Sequence, residues 1–230
     1  MRFFSYLRTK LGVAIVNLVR ARHGVVIFFH DERRRRDLDT IWRVSSETKM
    51  LISDHEAYQL MMAVRCTKKI PGDIAEVGTY RGGSSKLIAI ARGSESSKHL
   101  YLFDTFEGLP PLTDIDRTHF TDEQYPADLE EVTAYLSAYP NVSLYKGVFP
   151  KSAGPIQSKR FSFVHLDVDL YEATRDSIAF FYPRMEPGAV LISHDYTTVP
   201  GVRKAVDEFM ADKPEAVFEL SWRQCFIVKI

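Results

Sequence analysis

The sequence predicts an α/β fold in which helices cover both faces of a mostly parallel sheet of seven strands. Three observations predict it. Short apolar segments alternate with helical segments from residue 72 onward. A glycine-rich turn follows the first apolar segment, and polar residues follow several later ones. The segments 216–220 and 225–230 are separated only by residues 221–224, which indicates a C-terminal hairpin and an antiparallel strand.

Composition limits the class of protein. The 230 residues are 45% hydrophobic and 26% charged, which is enough for one well-buried core. Residues 1–36 hold nine Lys or Arg and two acids, so the remainder holds 21 bases and 28 acids. An acidic body of this kind argues against nucleic acid as a partner. The two cysteines form no Cys-x-x-Cys motif, which favours reduced thiols in a cytoplasmic protein.

The N-terminal 45 residues are expected to form a cationic, partly amphipathic extension of a domain spanning residues 46–230. Apolar clusters alternate there with Lys and Arg, and no apolar run reaches the roughly 20 residues that a membrane-spanning helix needs. We expect this segment to pack on the domain or to form a homodimer seam. The alternative is peripheral contact with an anionic membrane.

The expected elements follow in chain order. A helix at 46–70 precedes the first strand and would cover the ligand pocket. Ser53, Asp54, His55 and Tyr58 are candidates to reach the ligand, but a core-facing Tyr58 and a surface His55 are the favoured alternative. Strands are then expected at 72–77, 99–104, 142–147, 161–167 and 189–195, with helices at 84–92, 127–138, 171–182 and 201–211 between and after them. The loop 105–126 is either a substrate lid or disordered, and its aromatic residues favour a lid.

The glycine-rich turn lies between the first strand and its helix. Gly78, Gly82 and Gly83 allow tight backbone turns, and Ser84 is placed to cap the helix. The spacing Glu-x-Gly-x-x-x-Gly differs from the dinucleotide fingerprint and lacks the lysine of a phosphate-binding loop. The next strand ends at Asp104, where a carboxylate can bind ribose hydroxyls. Together they predict an adenosine-type cofactor, S-adenosylmethionine in preference to a nicotinamide dinucleotide; the alternative is a structural turn and a solvated aspartate.

Polar side chains end three separate strands: Asp104, then Asp167 with Asp169, then His194 with Asp195. The carboxyl ends of parallel strands meet at one edge of the sheet, so these groups are expected to converge. Carboxylates and an imidazole can bind a divalent cation, magnesium or manganese for the aspartates and softer metals for histidine. Alternatively, His194 or Asp167 takes a proton directly.

Seven motifs run in order between residues 73 and 206: DIAEVGTYRGGS (73–84), FDTFEGLP (103–110), KGVFP (146–150), LDVDLYEAT (166–174), YPRMEPG (182–188), DY (195–196) and PGVRKAV (200–206). In sequence and order they resemble the macrocin O-methyltransferase family. The first 45 residues lie outside these motifs. The resemblance implies a Rossmann-like class I methyltransferase fold and S-adenosylmethionine as the methyl donor. Characterised members commonly methylate sugar hydroxyls of natural products with a magnesium ion.

The resemblance also implies roles for single residues. The cofactor loop would be lined by Glu76, Gly78, Tyr80, Gly82 and Ser84, ribose would be held by Asp104, and adenosine would lie near Thr105 and Phe106. Asp167 would be a metal ligand and general base, and Asp195 a second metal ligand. The family's Asp-Asp-Tyr is His194-Asp195-Tyr196 here, so an imidazole replaces a carboxylate and metal dependence is open.

We therefore predict an S-adenosylmethionine-dependent O-methyltransferase acting on a hydroxyl of a small molecule or glycan, with a sugar as the expected acceptor. Asp167 and His194 are assigned the proton transfer and the positioning of the hydroxyl. Two alternatives remain: a catechol-type O-methyltransferase and a non-catalytic methyltransferase-like binding protein.

Overall fold

The computed structural model describes residues 32–230. Six α-helices lie in this part of the chain: α1 (Glu32–Glu47), α2 (Asp54–Cys66), α3 (Gly83–Arg92), α4 (Leu129–Leu136), α5 (Tyr171–Phe181) and α6 (Pro200–Met210). The seven strands are β1 (Asp73–Val77), β2 (Leu100–Asp104), β3 (Val142–Lys146), β4 (Phe161–Leu166), β5 (Met185–Ser193), β6 (Val217–Glu219) and β7 (Cys225–Val228). Residues 40–230 form one compact unit, and the preceding unit ends at Asp39.

The seven strands form one sheet in the order β3-β2-β1-β4-β5-β7-β6. Strands β1 to β5 are parallel, while β7 runs antiparallel to both β5 and β6. The chain moves outward in one direction from β1 and in the opposite direction from β4. Right-handed crossovers therefore place α3 and α5 on opposite faces of the sheet. The predicted fold class, including the C-terminal antiparallel hairpin, is confirmed.

The central strands of the sheet are buried on both faces because they consist mostly of apolar residues. Strands β1, β2 and β4 are buried nearly throughout. On one face an aromatic cluster packs Phe149 between Phe103 and Phe181, with ring centroids 5.1 Å apart in both pairs. This core fixes the strands whose carboxyl ends form the site.

The predicted helix at 46–70 is wrong in its boundaries. Helix α1 ends at Glu47, and α2 begins only at Asp54. Ser53 is the N-cap of α2 in a capping box, in which its hydroxyl accepts from the N–H of Glu56 and the Glu56 carboxylate accepts from the N–H of Ser53. This Ser-x-x-Glu signal stops the helix from extending backward. The residues before it, 48–52, form a loop.

The loop 105–126 is folded against the domain. The Leu109 N–H donates to the Gln124 carbonyl at 2.8 Å, which closes the loop on itself. Asp116 is buried and accepts from the Tyr171 N–H at 2.9 Å. The loop contributes Leu112 and Phe120 to a small hydrophobic cluster. The alternative of disorder is therefore wrong, and the loop packs against the domain.

The predictions for the N-terminal segment, a packing or dimer seam with membrane contact as the alternative, concern residues that lie mostly outside those described. Within residues 32–230, no helix is long and apolar enough to cross a membrane. The expected boundary after residue 45 lies inside α1, and the division into an extension and a catalytic domain stays a prediction.

Candidate active site

A cleft opens at the carboxyl ends of the parallel strands, where the strand order reverses between β1 and β4. It contains about 1040 Å³ of empty space, including its open mouth. Residues that follow each of the five parallel strands line it, together with the 49–52 loop and part of the 105–126 loop. This is the position at which open α/β sheets bind ligands.

The floor of the cleft depends on a glycine. Gly78 follows β1 with a φ of 92°, a conformation that residues with a side chain rarely adopt. A Cβ atom at this position would lie 1.8 Å from the backbone oxygen of Asp167, so no side chain fits between the ends of β1 and β4. Close approach of these two strand ends brings the glycine turn next to Asp167.

Asp104 joins the glycine turn to the end of β2. Its Oδ2 accepts from the Tyr80 N–H at 2.7 Å, and its Oδ1 accepts from the Phe106 N–H at 2.8 Å. Burial raises the pKa of Asp104, and these two N–H groups, with the Thr105 hydroxyl, oppose the rise. The half-buried carboxylate is therefore held in one orientation while it borders the cleft.

Glu76 lies beneath the turn, where its carboxylate is fully buried and already bonded. One oxygen accepts a short hydrogen bond from the Ser85 hydroxyl, and the other lies 2.9 Å from Nδ1 of His165. These contacts join β1 to α3 and β4. Glu76 thus supports the loop, although the family resemblance assigns it to the cofactor itself.

Three polar groups converge at the ends of β4 and β5. Nδ1 of His194 lies 2.9 Å from Oδ1 of Asp167 and 3.1 Å from Oδ2 of Asp195. One candidate ligand atom from each residue lies within 4.8 Å of those of the other two. Of the strand-end groups predicted to converge, those of β4 and β5 meet here, while Asp104 at the end of β2 lines the same cleft.

This cluster fits a divalent cation. His194 is buried, yet neither ring nitrogen makes a hydrogen bond of good geometry to the oxygens around it. An imidazole and two carboxylates that face one another at these distances are a suitable donor set for a divalent metal. Asp167, His194 and Asp195 are the residues that would hold it.

The charged groups in and beside the cluster shift one another's pKa values. Burial alone would lower the pKa of His194, but the Asp167 charge and contacts to Asp167, Asp195 and Glu56 raise it well above its usual range. Burial would raise the pKa of Asp167, and His194 outweighs burial and lowers it. Asp169 is the opposite case, because burial and the neighbouring Asp167 and Asp195 charges raise its pKa well above the usual value. Strongly perturbed groups in a cleft are typical of functional sites.

Two charged residues beside the cluster are absent from the sequence-based prediction. Glu56 of α2 is fully buried, with Oε1 3.2 Å from Nε2 of His194. Arg223 precedes β7, lines the cleft and contacts both Glu56 and Asp195. The capping box at Ser53 was the available sequence signal for Glu56; Arg223 had none.

Strained backbone also concentrates around this cleft. Among the non-glycine residues of positive φ in the described chain, four line the cleft and a fifth adjoins it: Tyr80, Tyr125, Asp169 and Asp195, then Phe106. Left-handed conformations of such residues persist where the surrounding structure imposes them, and they cluster at functional sites.

The structure separates the predicted site residues into two groups. Those that line the cleft are Gly78, Tyr80, Ser84, Asp104, Thr105, Asp167, His194 and Asp195. Those that do not are Glu76, Gly82 and Phe106, and the same holds for Ser53, Asp54, His55 and Tyr58 of the expected covering helix. Ser84 does not cap α3, whose N-cap is Gly82 in a left-handed conformation.

The sequence matches the profile of the family described as Macrocin-O-methyltransferase (TylF) over residues 14–223. The chain belongs to this family. It is thus an O-methyltransferase of the macrocin O-methyltransferase family, and the match begins at residue 14, so it extends into the N-terminal segment that the motifs had left outside.

Individual relatives have low sequence identity to this chain. The 8-demethyl-8-(2,3-dimethoxy-alpha-L-rhamnosyl)-tetracenomycin-C 4'-O-methyltransferase of Streptomyces olivaceus is 26% identical over 211 residues, which are 85% of this chain and 80% of that protein. Mycinamicin III 3''-O-methyltransferase of Micromonospora griseorubida is 29% identical over 158 residues, 61% of each protein. Both names describe O-methyltransferases, and the first specifies a rhamnosyl-tetracenomycin as the molecule methylated.

Solved structures of O-methyltransferases share the fold of this chain. The O-methyltransferase NovP superposes with a TM-score of 0.71 and 23% identity, covering 78% of this chain and 81% of its own. An O-methyltransferase from Bacillus cereus, solved in complex with SAH, has a TM-score of 0.60 and 16% identity, covering 94% and 97%. At these identities, the likeness supports the fold.

Proposed function

We propose that this protein transfers the methyl group of S-adenosylmethionine to a hydroxyl of a sugar, as part of a natural product or a glycan. The observation that carries the proposal is the single cleft that joins the Gly78 turn and Asp104 to the cluster of Asp167, His194 and Asp195. The relative named for methylation of a rhamnosyl-tetracenomycin supports a sugar as the acceptor.

The β1–β2 side of the cleft suits an adenosine moiety. The Asp104 carboxylate is held by two backbone N–H groups and borders open space, so its free lone pairs can accept from ribose hydroxyls. When bound, S-adenosylmethionine supplies the electrophilic methyl group, and the protein has to align the acceptor oxygen and remove its proton.

The β4–β5 side would act on the acceptor. Asp167 lines the cleft, and its carboxylate can accept the proton of a bound hydroxyl. Nδ1 of His194 and Oδ2 of Asp195 lie 3.1 Å apart beside Asp167, and both side chains can position that hydroxyl. A divalent cation held by the three residues would lower the pKa of the hydroxyl.

The test is transfer of a labelled methyl group. The full chain is incubated with methyl-deuterated S-adenosylmethionine and separate pools of sugar nucleotides, glycosylated natural products and catechols, and the products are detected by mass spectrometry. The expected result is a mass increase confined to sugar-containing acceptors and lost in Asp167→Asn. Methylation of catechols alone would identify the catechol-type alternative. Absence of S-adenosylmethionine binding in calorimetry would refute the proposal.

A further inference from the structure

Glu56 and Arg223 are the outer residues that contact the cluster of Asp167, His194 and Asp195. Glu56 comes from the first turn of α2, and Arg223 from the turn between β6 and β7. The antiparallel register pairs Ser193 of β5 with Cys225 of β7. The residues just after Ser193 are therefore adjacent to those just before Cys225, and this places Arg223 beside Asp195.

Each of the two outer residues faces one polar atom of a cluster residue, and the other polar atom of that residue points into the cluster. Oε1 of Glu56 lies 3.2 Å from Nε2 of His194, which leaves Nδ1 directed at Asp167 and Asp195. Nη1 of Arg223 donates to Oδ1 of Asp195 at 3.3 Å, and the Thr198 hydroxyl donates to the same oxygen at 3.3 Å. This leaves Oδ2 of Asp195 directed at His194.

The two outer residues also hold each other. Arg223 donates to Oε1 of Glu56 from Nε at 3.2 Å and to Oε2 from Nη2 at 3.3 Å. The Leu51 carbonyl accepts from Nη2 at 2.8 Å. Oε2 of Glu56 accepts from the Ser53 N–H at 2.6 Å, so the carboxylate is also fixed to the helix cap. Neither side chain can turn without breaking several of these contacts.

We propose that Glu56 and Arg223 are positioning residues that present Nδ1 of His194 and Oδ2 of Asp195 as ligand atoms for a divalent cation. The inference deepens the proposed function and rests on it only in assigning the cluster to the acceptor. Outer partners that hold the second nitrogen of a ligating histidine, or the second oxygen of a ligating carboxylate, fix the direction of the first. Asp167 completes the set of three.

The test measures cation affinity and not activity. Mn²⁺ binding to the full chain is titrated by electron paramagnetic resonance for the wild type, Glu56→Gln, Arg223→Met and Arg223→Lys. Removal of an outer partner is expected to weaken Mn²⁺ binding by about 10- to 100-fold, while S-adenosylmethionine affinity by calorimetry stays within about threefold. Arg223→Lys keeps the charge but lacks the planar fork, so an intermediate loss is expected.

The matched control is Glu215→Gln. Glu215 is a buried glutamate paired with Lys229, which follows β7, and it has no contact with the cluster. It is expected to keep wild-type Mn²⁺ affinity. If Glu56→Gln fails to fold, the two variants of Arg223, whose side chain is 31% exposed, still decide the question.

Wild-type Mn²⁺ affinity in folded Arg223→Met would overturn the inference. A wild type that methylates an acceptor but binds no Mn²⁺ would also overturn it and would leave the proposed function standing. Loss of S-adenosylmethionine binding in the wild type would remove the proposed function, whereas the Mn²⁺ comparison would still test the two residues.

Discussion

The backbone oxygen of Asp167 occupies the space in which Gly78 would carry a side chain, 1.8 Å from an ideal Cβ position. The glycine turn of β1 and the acid that ends β4 are therefore built as one unit. Residues proposed for the cofactor and for the acceptor share this contact, and a change at either position is expected to affect both.

Gly78→Ala is expected to lower the free energy of unfolding by about 1–3 kcal/mol, because the added methyl group meets backbone and the φ of 92° is unfavourable for alanine. Binding of S-adenosylmethionine should weaken at the same time. Chemical denaturation and calorimetry measure the two effects. Gly154→Ala is the control, since a Cβ there meets nothing within 4 Å. Equal stability of the two variants would contradict the account of the turn.

Asp104→Asn is expected to weaken S-adenosylmethionine binding by about 10- to 100-fold. The substitution removes the negative charge, and an NH₂ donor replaces one of the two oxygens that accept from backbone N–H groups. Calorimetric titration measures the loss. Asp128→Asn is a matched control: Asp128 also accepts from two backbone N–H groups, as the N-cap of α4, but lies outside the cleft lining. It should lose stability and keep cofactor affinity. Unchanged affinity in Asp104→Asn would exclude the ribose assignment.

Glu76→Gln separates support from direct binding. The substitution disturbs the buried contacts to Ser85 and His165, so the free energy of unfolding should fall by about 1–3 kcal/mol. Cofactor affinity in the folded variant should change less than about threefold. Glu186→Gln, at a partly exposed ion pair with Arg160, should change stability little. A large affinity loss with full stability would restore Glu76 as a direct cofactor ligand.

His194→Asp is expected to raise the affinity for Mg²⁺ relative to Mn²⁺ and Zn²⁺, since a hard carboxylate replaces an imidazole in the cluster. His194→Ala should reduce methyl transfer by about 100-fold or more through loss of hydroxyl positioning. His119→Ala, in the exposed part of the 105–126 loop, is the control. Full metal-free turnover by His194→Ala would show that the role assigned to His194 is wrong.

Glu215 provides a stability test at low pH. Burial would raise its pKa, but hydrogen bonds from Lys229, Tyr182 and the Ile230 N–H lower it from an ordinary 4.5 to about 2. The folded state thus binds the proton more weakly than the unfolded state, and the stabilisation is present above pH 4.5 and is lost as the pH falls toward 2.

Denaturation of the wild type and Glu215→Gln over this pH range measures the effect. The wild type is expected to be more stable at neutral pH, with a difference that narrows below pH 4.5. Glu219→Gln, at an exposed pair with Arg203, serves as the control with a small expected effect. A constant difference between wild type and Glu215→Gln from pH 7 to 3 would contradict the assignment.

The strand ends could be located from the sequence because local patterns define them. Each buried strand is a short apolar run, and parallel strands direct their carboxyl ends to one edge, so Asp104, Asp167 and His194 could be grouped before their distances were known. The C-terminal hairpin could also be predicted, because only residues 221–224 separate its two apolar segments.

The outer contacts could not be predicted in the same way. Arg223 is next to Asp195 only because β7 pairs with β5 in one particular register, and a one-residue slip would remove it. The position of Glu56 depends on the break between α1 and α2, where the apolar pattern continues although the helix does not. The fold of the 105–126 loop depends on long-range contacts such as that between Asp116 and the Tyr171 N–H.

The boundary between β1 and β4 separates two sides of the cleft with different proposed roles. Methyl-donor residues are proposed on one flank, and residues that act on the recipient on the other, including the turn that carries Arg223. Exchange of the recipient flank between relatives would then change which molecule is methylated, while the methyl donor would stay the same. Gly78 and Asp167, which meet at the seam, are the two positions such chimaeras would have to inherit together.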